Sequence, residues 1–197
     1  DFSPAWYLNG LVFCSSRNGK KLHTATGNPV LELFYADILP DGDLGPPALF
    51  SPHINSQINE GPSCFSYDGN TMYFTRNNSE GRVQKAGKDR VVRLKIYAAR
   101  KGLFEWESPE ELPFNSNEYS AMHPAISADG RRLYFASDMP GGYGQMDLYV
   151  AYRQPDGDWG DPQNLGPTIN TDRHEAFPYL FQNQWLFFAS DRPGGMG

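Results

Sequence analysis

The chain has 197 residues, 39% of them hydrophobic and 14% aromatic, with 20 glycines, 16 prolines and a net charge of −6. That length can bury one sizeable core, and so much glycine, proline and aromatic side chain suits short strands joined by tight turns rather than helices or a disordered tail. No apolar run approaches the roughly 18 residues of a membrane-spanning helix, and the net negative charge disfavours general nucleic-acid affinity.

The first predicted strand, Phe2-Ser3-Pro4-Ala5-Trp6, turns at Asn9-Gly10 into an aromatic second strand around Val12-Phe13. A long loop over residues 17–31 leads to a third strand, Leu33-Phe34-Tyr35-Ala36. Asp41-Gly42 turns the chain towards a weak fourth strand, Gly45-Pro46-Pro47-Ala48-Leu49, and the connector Ile54-Asn55-Ser56 follows.

The same order then repeats. The second copy runs from Gly61-Pro62-Ser63-Cys64-Phe65-Ser66 through Asp68-Gly69 to Tyr73-Phe74, then to Lys95-Ile96-Tyr97-Ala98, a fourth strand in Trp106-Glu107-Ser108-Pro109-Glu110-Glu111-Leu112, and Phe114-Asn115-Ser116. The third runs from His123-Pro124-Ala125-Ile126-Ser127 through Asp129-Gly130 to Tyr134-Phe135, then to Asp147-Leu148-Tyr149-Val150, past Asp156-Gly157 to Trp159-Gly160-Asp161-Pro162-Gln163-Asn164-Leu165, and to Ile169-Asn170-Thr171. A fourth begins at Phe177-Pro178-Tyr179-Leu180 and reaches Phe187-Phe188. Pro4, Pro62, Pro124 and Pro178 stand 58, 62 and 54 residues apart, a propeller-blade period.

The expected fold is therefore all-β: a β-propeller of four-stranded antiparallel blades, with three complete blades and half of a fourth. Blade 1 covers about 1–58, blade 2 about 59–119, blade 3 about 120–173 and the partial blade 4 about 174–197. A lone blade leaves two apolar faces wet, and radial stacking covers both, which accounts for nearly continuous apolar strands such as Leu133-Tyr134-Phe135-Ala136. The chain opens inside a unit and stops at Arg192-Pro193-Gly194-Gly195-Met196-Gly197. The third copy's Pro140-Gly141-Gly142-Tyr143-Gly144 runs on into a strand, so the reading expects a longer protein.

Strand alternation puts the one-to-two and three-to-four turns on one side of the disk and the remaining connections on the other. The two-to-three loops differ between copies: residues 17–31, 77–94 and 139–146. The second carries a charge run. From 81 to 101 eight basic residues face Asp89 alone, so this stretch is +7 on a chain of −6. Its candidate partner-binding residues are Arg82, Lys85, Lys88 and Arg90, joined on the same side by Tyr143, His174 and Glu175. The stretch reads first as a solvated, mobile loop and next as a docking patch for an acidic partner; with only Tyr97 to stack a base, it does not suit nucleic acid.

Catalytic signatures are absent. Asp68 and Asp129 share one setting ahead of a turn glycine and read as structural; the sialidase Asp-box spacing fails, and no Gly-x-Ser-x-Gly elbow occurs. His23, His53, His123 and His174 lack ligand spacing, and a single Asp138 or Asp191 per Pro-Gly-Gly loop is thin support for Ca²⁺. Cys14, aligned with Thr75, Ala136 and Ala189, and Cys64, aligned with Ile126, read as small strand residues rather than a disulfide. The reading expects no catalytic residue, no metal, no cofactor and no enzyme.

The phrase from His123 to Gly144, together with Tyr73-Phe74-Thr75-Arg76-Asn77-Asn78, Leu112-Pro113-Phe114-Asn115-Ser116 and 164–171, resembles the TolB-like, WD-like propeller repeat of Bacteroidetes periplasmic lipoproteins of the OmpA family. The resemblance covers nearly the whole chain and departs most at 17–31 and 79–94. It implies a non-catalytic interaction propeller, PorE-like and outer-membrane associated in the periplasm. Such a propeller helps anchor a type IX secretion or gliding complex to the cell wall. Implied partners are PorP/SprF-type outer-membrane proteins and other secretion components; peptidoglycan would be reached through an OmpA-like domain outside this chain. Two other readings stay open: a propeller gating a separate peptidase domain, and a glycan-binding propeller with Tyr119, Tyr143 and Trp159 as candidates, although Trp159 reads more readily as a core residue.

Overall fold

The computed structural model describes residues 1–23, 26–80 and 83–194. It is all-β, with no helix among the described residues. Blade 1 is a sheet of four strands in sequence order: β1 (Phe2–Tyr7), β2 (Gly10–Ser15), β3 (Glu32–Asp37) and β4 (Ala48–Leu49). Blade 2 comprises β5 (Glu60–Phe65), β6 (Thr71–Asn77), β9 (Leu94–Arg100) and β10 (Glu110–Glu111); its long loop carries a separate hairpin, β7 (Ser79–Glu80) with β8 (Val83–Gln84). Blade 3 contains β11 (Ala121–Ile126), β12 (Arg132–Ser137), β13 (Asp147–Tyr152) and β14 (Gln163–Asn164). The fourth unit contributes β15 (Glu175–Phe181) and β16 (Trp185–Ser190). All pairings within the blades are antiparallel.

The outermost strands are shorter than the sequence suggests. Trp106 and Trp159 make single bridges to Lys101 and Arg153 at the turns, and regular pairing resumes only at Glu110 and Gln163. Pro109 and Pro162 have no N–H to donate, so the ladder is interrupted between the two points.

Each first strand bulges at its proline. The pairing register slips across Ser3-Pro4, Gly61-Pro62, His123-Pro124 and Phe177-Pro178. Ser3, His123 and Phe177 take positive φ of 51°, 56° and 52°, which is uncommon for side-chain-bearing residues and disfavoured ahead of proline. In blade 2 proline itself falls on that position and cannot adopt positive φ, so the bulge sits one step earlier. Cys64 therefore pairs with Tyr73 as Ala125 pairs with Tyr134; its counterpart is Ala125, not Ile126. Gly61 now faces Thr75, whose Cβ would lie only 3.0 Å from an added methyl.

Two seams hold the core. Val12, Cys14 and Leu33 of blade 1 pack on Phe74, Tyr97 and Trp106 of blade 2; Tyr73 and Ile96 of blade 2 pack on Leu133, Phe135 and Tyr149 of blade 3. Cys14 and Cys64 are free thiols in different seams, and burial pushes both up to about 12, so neither is a ready nucleophile at neutral pH.

The connectors latch one blade to the next. Asn55, Asn115 and Asn170 each accept from and donate to the backbone of one third-strand residue, Leu33, Ile96 and Leu148 respectively. The next connector residue reaches forward. Ser56 donates from its hydroxyl and its backbone to Glu60, as Thr171 does to Glu175. The carbonyl ahead of each asparagine is satisfied by Arg76 on Ile54, by the Tyr119 hydroxyl on Phe114 and by Arg192 on Ile169.

Glu60 is fully buried, and burial raises its pKa to about 7 against the opposing pull of Arg76, Ser56 and Lys21. An acid whose folded pKa is raised holds its proton in the fold after losing it in the unfolded chain. Stability should therefore fall as pH rises from about 4.5 to about 7. Urea unfolding across that window should show this slope flattened in Glu60→Gln; an unchanged slope would assign the dependence elsewhere.

Candidate functional site

The side of the blades bearing the two-to-three loops carries the candidate residues. In blade 1, Lys21 lies beside Glu32 at 2.7 Å and donates to the Ser56 carbonyl at 2.8 Å, tying the loop to the first connector. His23 meets Gln84 at 2.9 Å, so the loops of blades 1 and 2 touch.

The basic loop of blade 2 is built rather than trailing. Asn78 exchanges backbone hydrogen bonds with Arg93 and Lys85 and donates from its side chain to the Lys85 carbonyl and to Asn117. Arg93 pairs with Asp89 and donates to the Glu118 carbonyl, which pins the loop to the next connector. Lys85, Lys88 and Arg90 are exposed on it, with Arg90 in the left-handed region at φ 65°. Arg82 lies outside the described residues.

The structure divides the charge run that the sequence presents as one. Lys95 is buried and pairs with Glu111 at 2.6 Å. Arg100 ends β9, seven residues long, and so sits roughly 20 Å from its start, towards the opposite side. Lys101 stands over the Tyr7 ring there, 5.6 Å from its centroid.

A second group forms where blade 3 meets the fourth unit. Buried Asp147 accepts from the backbone N–H of Tyr143 at 2.5 Å and of Gly144 at 3.0 Å, and from Asn164 at 2.7 Å. This braces the short loop and leaves the Tyr143 ring 53% exposed. His174 bridges to Met146, its N–H donates to Asp191 at 2.8 Å, and its side chain is exposed. Tyr143 and His174 thus belong to one loop pair.

Glu175 does not join them. It is 0% exposed, with oxygens taken by Thr171 and Ser190 and with Arg192 at 3.6 Å. Burial would raise its pKa, but those donors and Arg192 together hold it below the usual carboxylate range. It is a latch residue, hidden by the connector that sequence position alone places beside the surface.

Trp159 is a packing residue, as the sequence favours, and not part of a channel mouth. It packs in the second seam at 5.9 Å from Tyr73, beneath Arg153. Tyr119 spends its hydroxyl on the Phe114 carbonyl. His123 stacks on Phe177 at 3.8 Å, on an inner strand, while His174 sits at the loop side. Asp68 and Asp129 accept from Ser66 and Ser127, which with the backbone N–H groups of the turns hold both below the usual range, as turn-bracing carboxylates should be.

No protein-family model matches the chain, and no curated protein sequence matches it. Solved structures do. TolB from Acinetobacter baumannii aligns at 17% identity and a TM-score of 0.51 over 88% of this chain and 34% of its own. An alpha-L-arabinofuranosidase from Lactobacillus brevis aligns at 13% identity and 0.52 over 83% and 52%. A variant of puromycin hydrolase aligns at 15% and 0.52 over 98% and 36%. This chain thus spans about a third to a half of those chains, and the likeness establishes a TolB-like β-propeller fold. It also overturns the expectation of a chain that is no enzyme. The same blade architecture belongs to two proteins named for catalysis, so a missing nucleophile elbow or Asp-box does not exclude activity.

Proposed function

We propose that this chain is a protein-docking propeller segment of a periplasmic, outer-membrane-associated protein, and that its basic loop face holds an acidic surface on the partner. The carrying observation is the presentation of Lys85, Lys88 and Arg90 on a loop braced by Asn78, Arg93 and the next connector, within a chain of net charge −6. A rigid cationic projection on an otherwise anionic body steers one class of surface and repels the rest. Tyr143, exposed on its own braced loop beside His174, supplies an aromatic contact of the kind that anchors interfaces.

In the finer reading the partner is a PorP/SprF-type outer-membrane protein or another type IX secretion component. The propeller then fastens that complex to the cell wall, with an OmpA-like domain supplying the peptidoglycan contact. This reading rests on the resemblance of the repeated phrases. Lys88→Glu combined with Arg90→Glu should weaken capture of a purified PorP/SprF-type protein by about tenfold or more, chiefly through a slower and less salt-sensitive association. Both positions are exposed, so the thermal midpoint should stay at the wild-type value. Undiminished binding by the double variant would remove the basic face from the interface.

A further inference from the structure

Two latches between blades share one construction. In each, a glutamate opening the first strand pairs with an arginine at or just past the end of the second, Glu60 with Arg76 and Glu175 with Arg192. The connector of the preceding blade fills the pair with three bonds. Its Ser56 or Thr171 gives the glutamate a hydroxyl and a backbone N–H, and the carbonyl two residues earlier accepts from the arginine. Blade 3 lacks the pair, with Ala121 opposite Ser137, and Tyr119 serves the connector carbonyl instead. Blade 1 carries the pair a third time. Phe2 stands opposite Cys14 as Ala176 stands opposite Ala189, so Asp1 takes the place of Glu175. Arg17 is held as Arg192 is: its backbone N–H and its Nε both donate to Ser15 at 3.1 Å, where those of Arg192 reach Ser190 at 3.2 and 3.0 Å. Its guanidinium lies 5.0 Å from the Phe13 ring and 5.4 Å from that of Phe34, as Arg76 lies over Phe74 and Tyr97. Arg17 also pairs with Asp1, whose side chain is 52% exposed against 0% for Glu60 and Glu175. Both residues line a hollow of about 490 Å³ together with Phe2, Leu11, Leu44 and Pro47.

We propose that the Asp1 and Arg17 pair is an open latch that docks an extended segment of a partner protein bearing an apolar-x-Ser/Thr phrase. The hydroxyl and N–H of the Ser or Thr go to the Asp1 carboxylate, and the carbonyl two residues before it accepts from the Arg17 guanidinium. The chemistry of the occupant is read from the two segments that this chain itself seats on the same pair, Ile54-Asn55-Ser56 and Ile169-Asn170-Thr171. The middle residue is free to vary, because Asn55 and Asn170 bond back to the third strand of their own blade. Bonds to an ionised carboxylate and a guanidinium are of the stronger kind, and an arginine already fixed by Ser15 and two rings loses little freedom when it binds. A second copy is a poor occupant, since the carbonyls of all three of its connectors are already taken by Arg76, Tyr119 and Arg192. The site uses blade 1 alone and does not depend on the basic loop of blade 2.

Titration of the whole chain with a blocked peptide of residues 165–171, Leu165-Gly166-Pro167-Thr168-Ile169-Asn170-Thr171, followed by ¹⁵N NMR of the Arg17 Nε–H, tests the assignment. The Arg17 signal should shift at about 1 mM peptide. Thr171→Val in the peptide should weaken binding about tenfold, whereas Asn170→Ala in the peptide should leave it unchanged. Asp1→Asn in the protein should weaken the parent peptide about tenfold and keep the wild-type thermal midpoint, because Asp1 is half exposed and Arg17 retains its bonds to Ser15. Asp1→Asn tested with the Thr171→Val peptide should lose less than the product of the two effects, as both changes remove one shared contact. No Arg17 shift at about 5 mM peptide, equal binding of the Thr171→Val peptide, or full retention by Asp1→Asn would each overturn the proposal. So would a chain that is dimeric by light scattering and becomes monomeric with Asp1→Asn, which would give the pair to a second copy.

Discussion

The Phe135→Ala variant should unfold about 3–5 kcal/mol more easily than the wild-type chain, lowering the thermal midpoint by roughly 6–20 °C. Phe135 is 0% exposed and lies in the seam between blades 2 and 3. Its ring stacks on Phe114 at 4.7 Å and 5°, with Tyr149 at 6.0 Å. Truncation removes the transfer energy of a large apolar side chain and leaves a void between two hydrogen-bonded sheets that cannot close on it without breaking their ladders. Tyr143→Ala, on an exposed ring, is the matched control and should change stability by less than about 0.5 kcal/mol. Equal behaviour of the two variants in urea unfolding would mean that the seam does not carry the fold.

The connector asparagines should follow closely. Asn170 is 1% exposed; its Oδ1 accepts from the Leu148 N–H at 2.8 Å, and its Nδ2 donates to the Leu148 carbonyl at 2.9 Å and to Asn164 at 2.8 Å. The Leu148 carbonyl keeps a second donor in the Leu165 N–H, whereas its own N–H has Asn170. Asn170→Ala strands that N–H in a dry seam and should cost about 2–4 kcal/mol. Asn170→Asp separates geometry from chemistry. The carboxylate still accepts from Leu148 but faces two oxygens with nothing to donate, so the variant should be at least as unstable at pH 7. It should recover in part at pH 5, where a buried acid of raised pKa takes up the proton that lets it donate again. Wild-type stability in Asn170→Ala would show that this asparagine's bonds to Leu148 do not contribute to holding the connector.

The architecture was legible because its determinants are local and repeated. The Asp68-Gly69 and Asp129-Gly130 turns place glycine at φ 70° and 69°, and each turn aspartate braces its own backbone. Alternation between those turns then assigns strands without knowledge of neighbours. The connector asparagines were visible as a repeat, but their partners lie 19 to 22 residues away across a sheet edge, and no local pattern encodes that distance. Glu175 illustrates the limit. A carboxylate beside an exposed histidine reads as surface, and only the Thr171 connector folded over it shows that it is buried. The charge run fails for a related reason: counting along the chain ignores that β9 carries Arg100 to the far side, while Lys95 turns inward to Glu111.

The amino-acid sequence by itself determined the four-strand unit, its repetition, its tight turns and which loops vary, since each follows from propensity and alternation within about ten neighbouring residues. Tertiary structure alone decided which polar groups are buried, which cations reach solvent on one side, and that the Asp1 carboxylate stands open where Glu60 and Glu175 are covered. Those properties depend on how separate blades stand against one another, and desolvation and burial are set by neighbours distant in the chain.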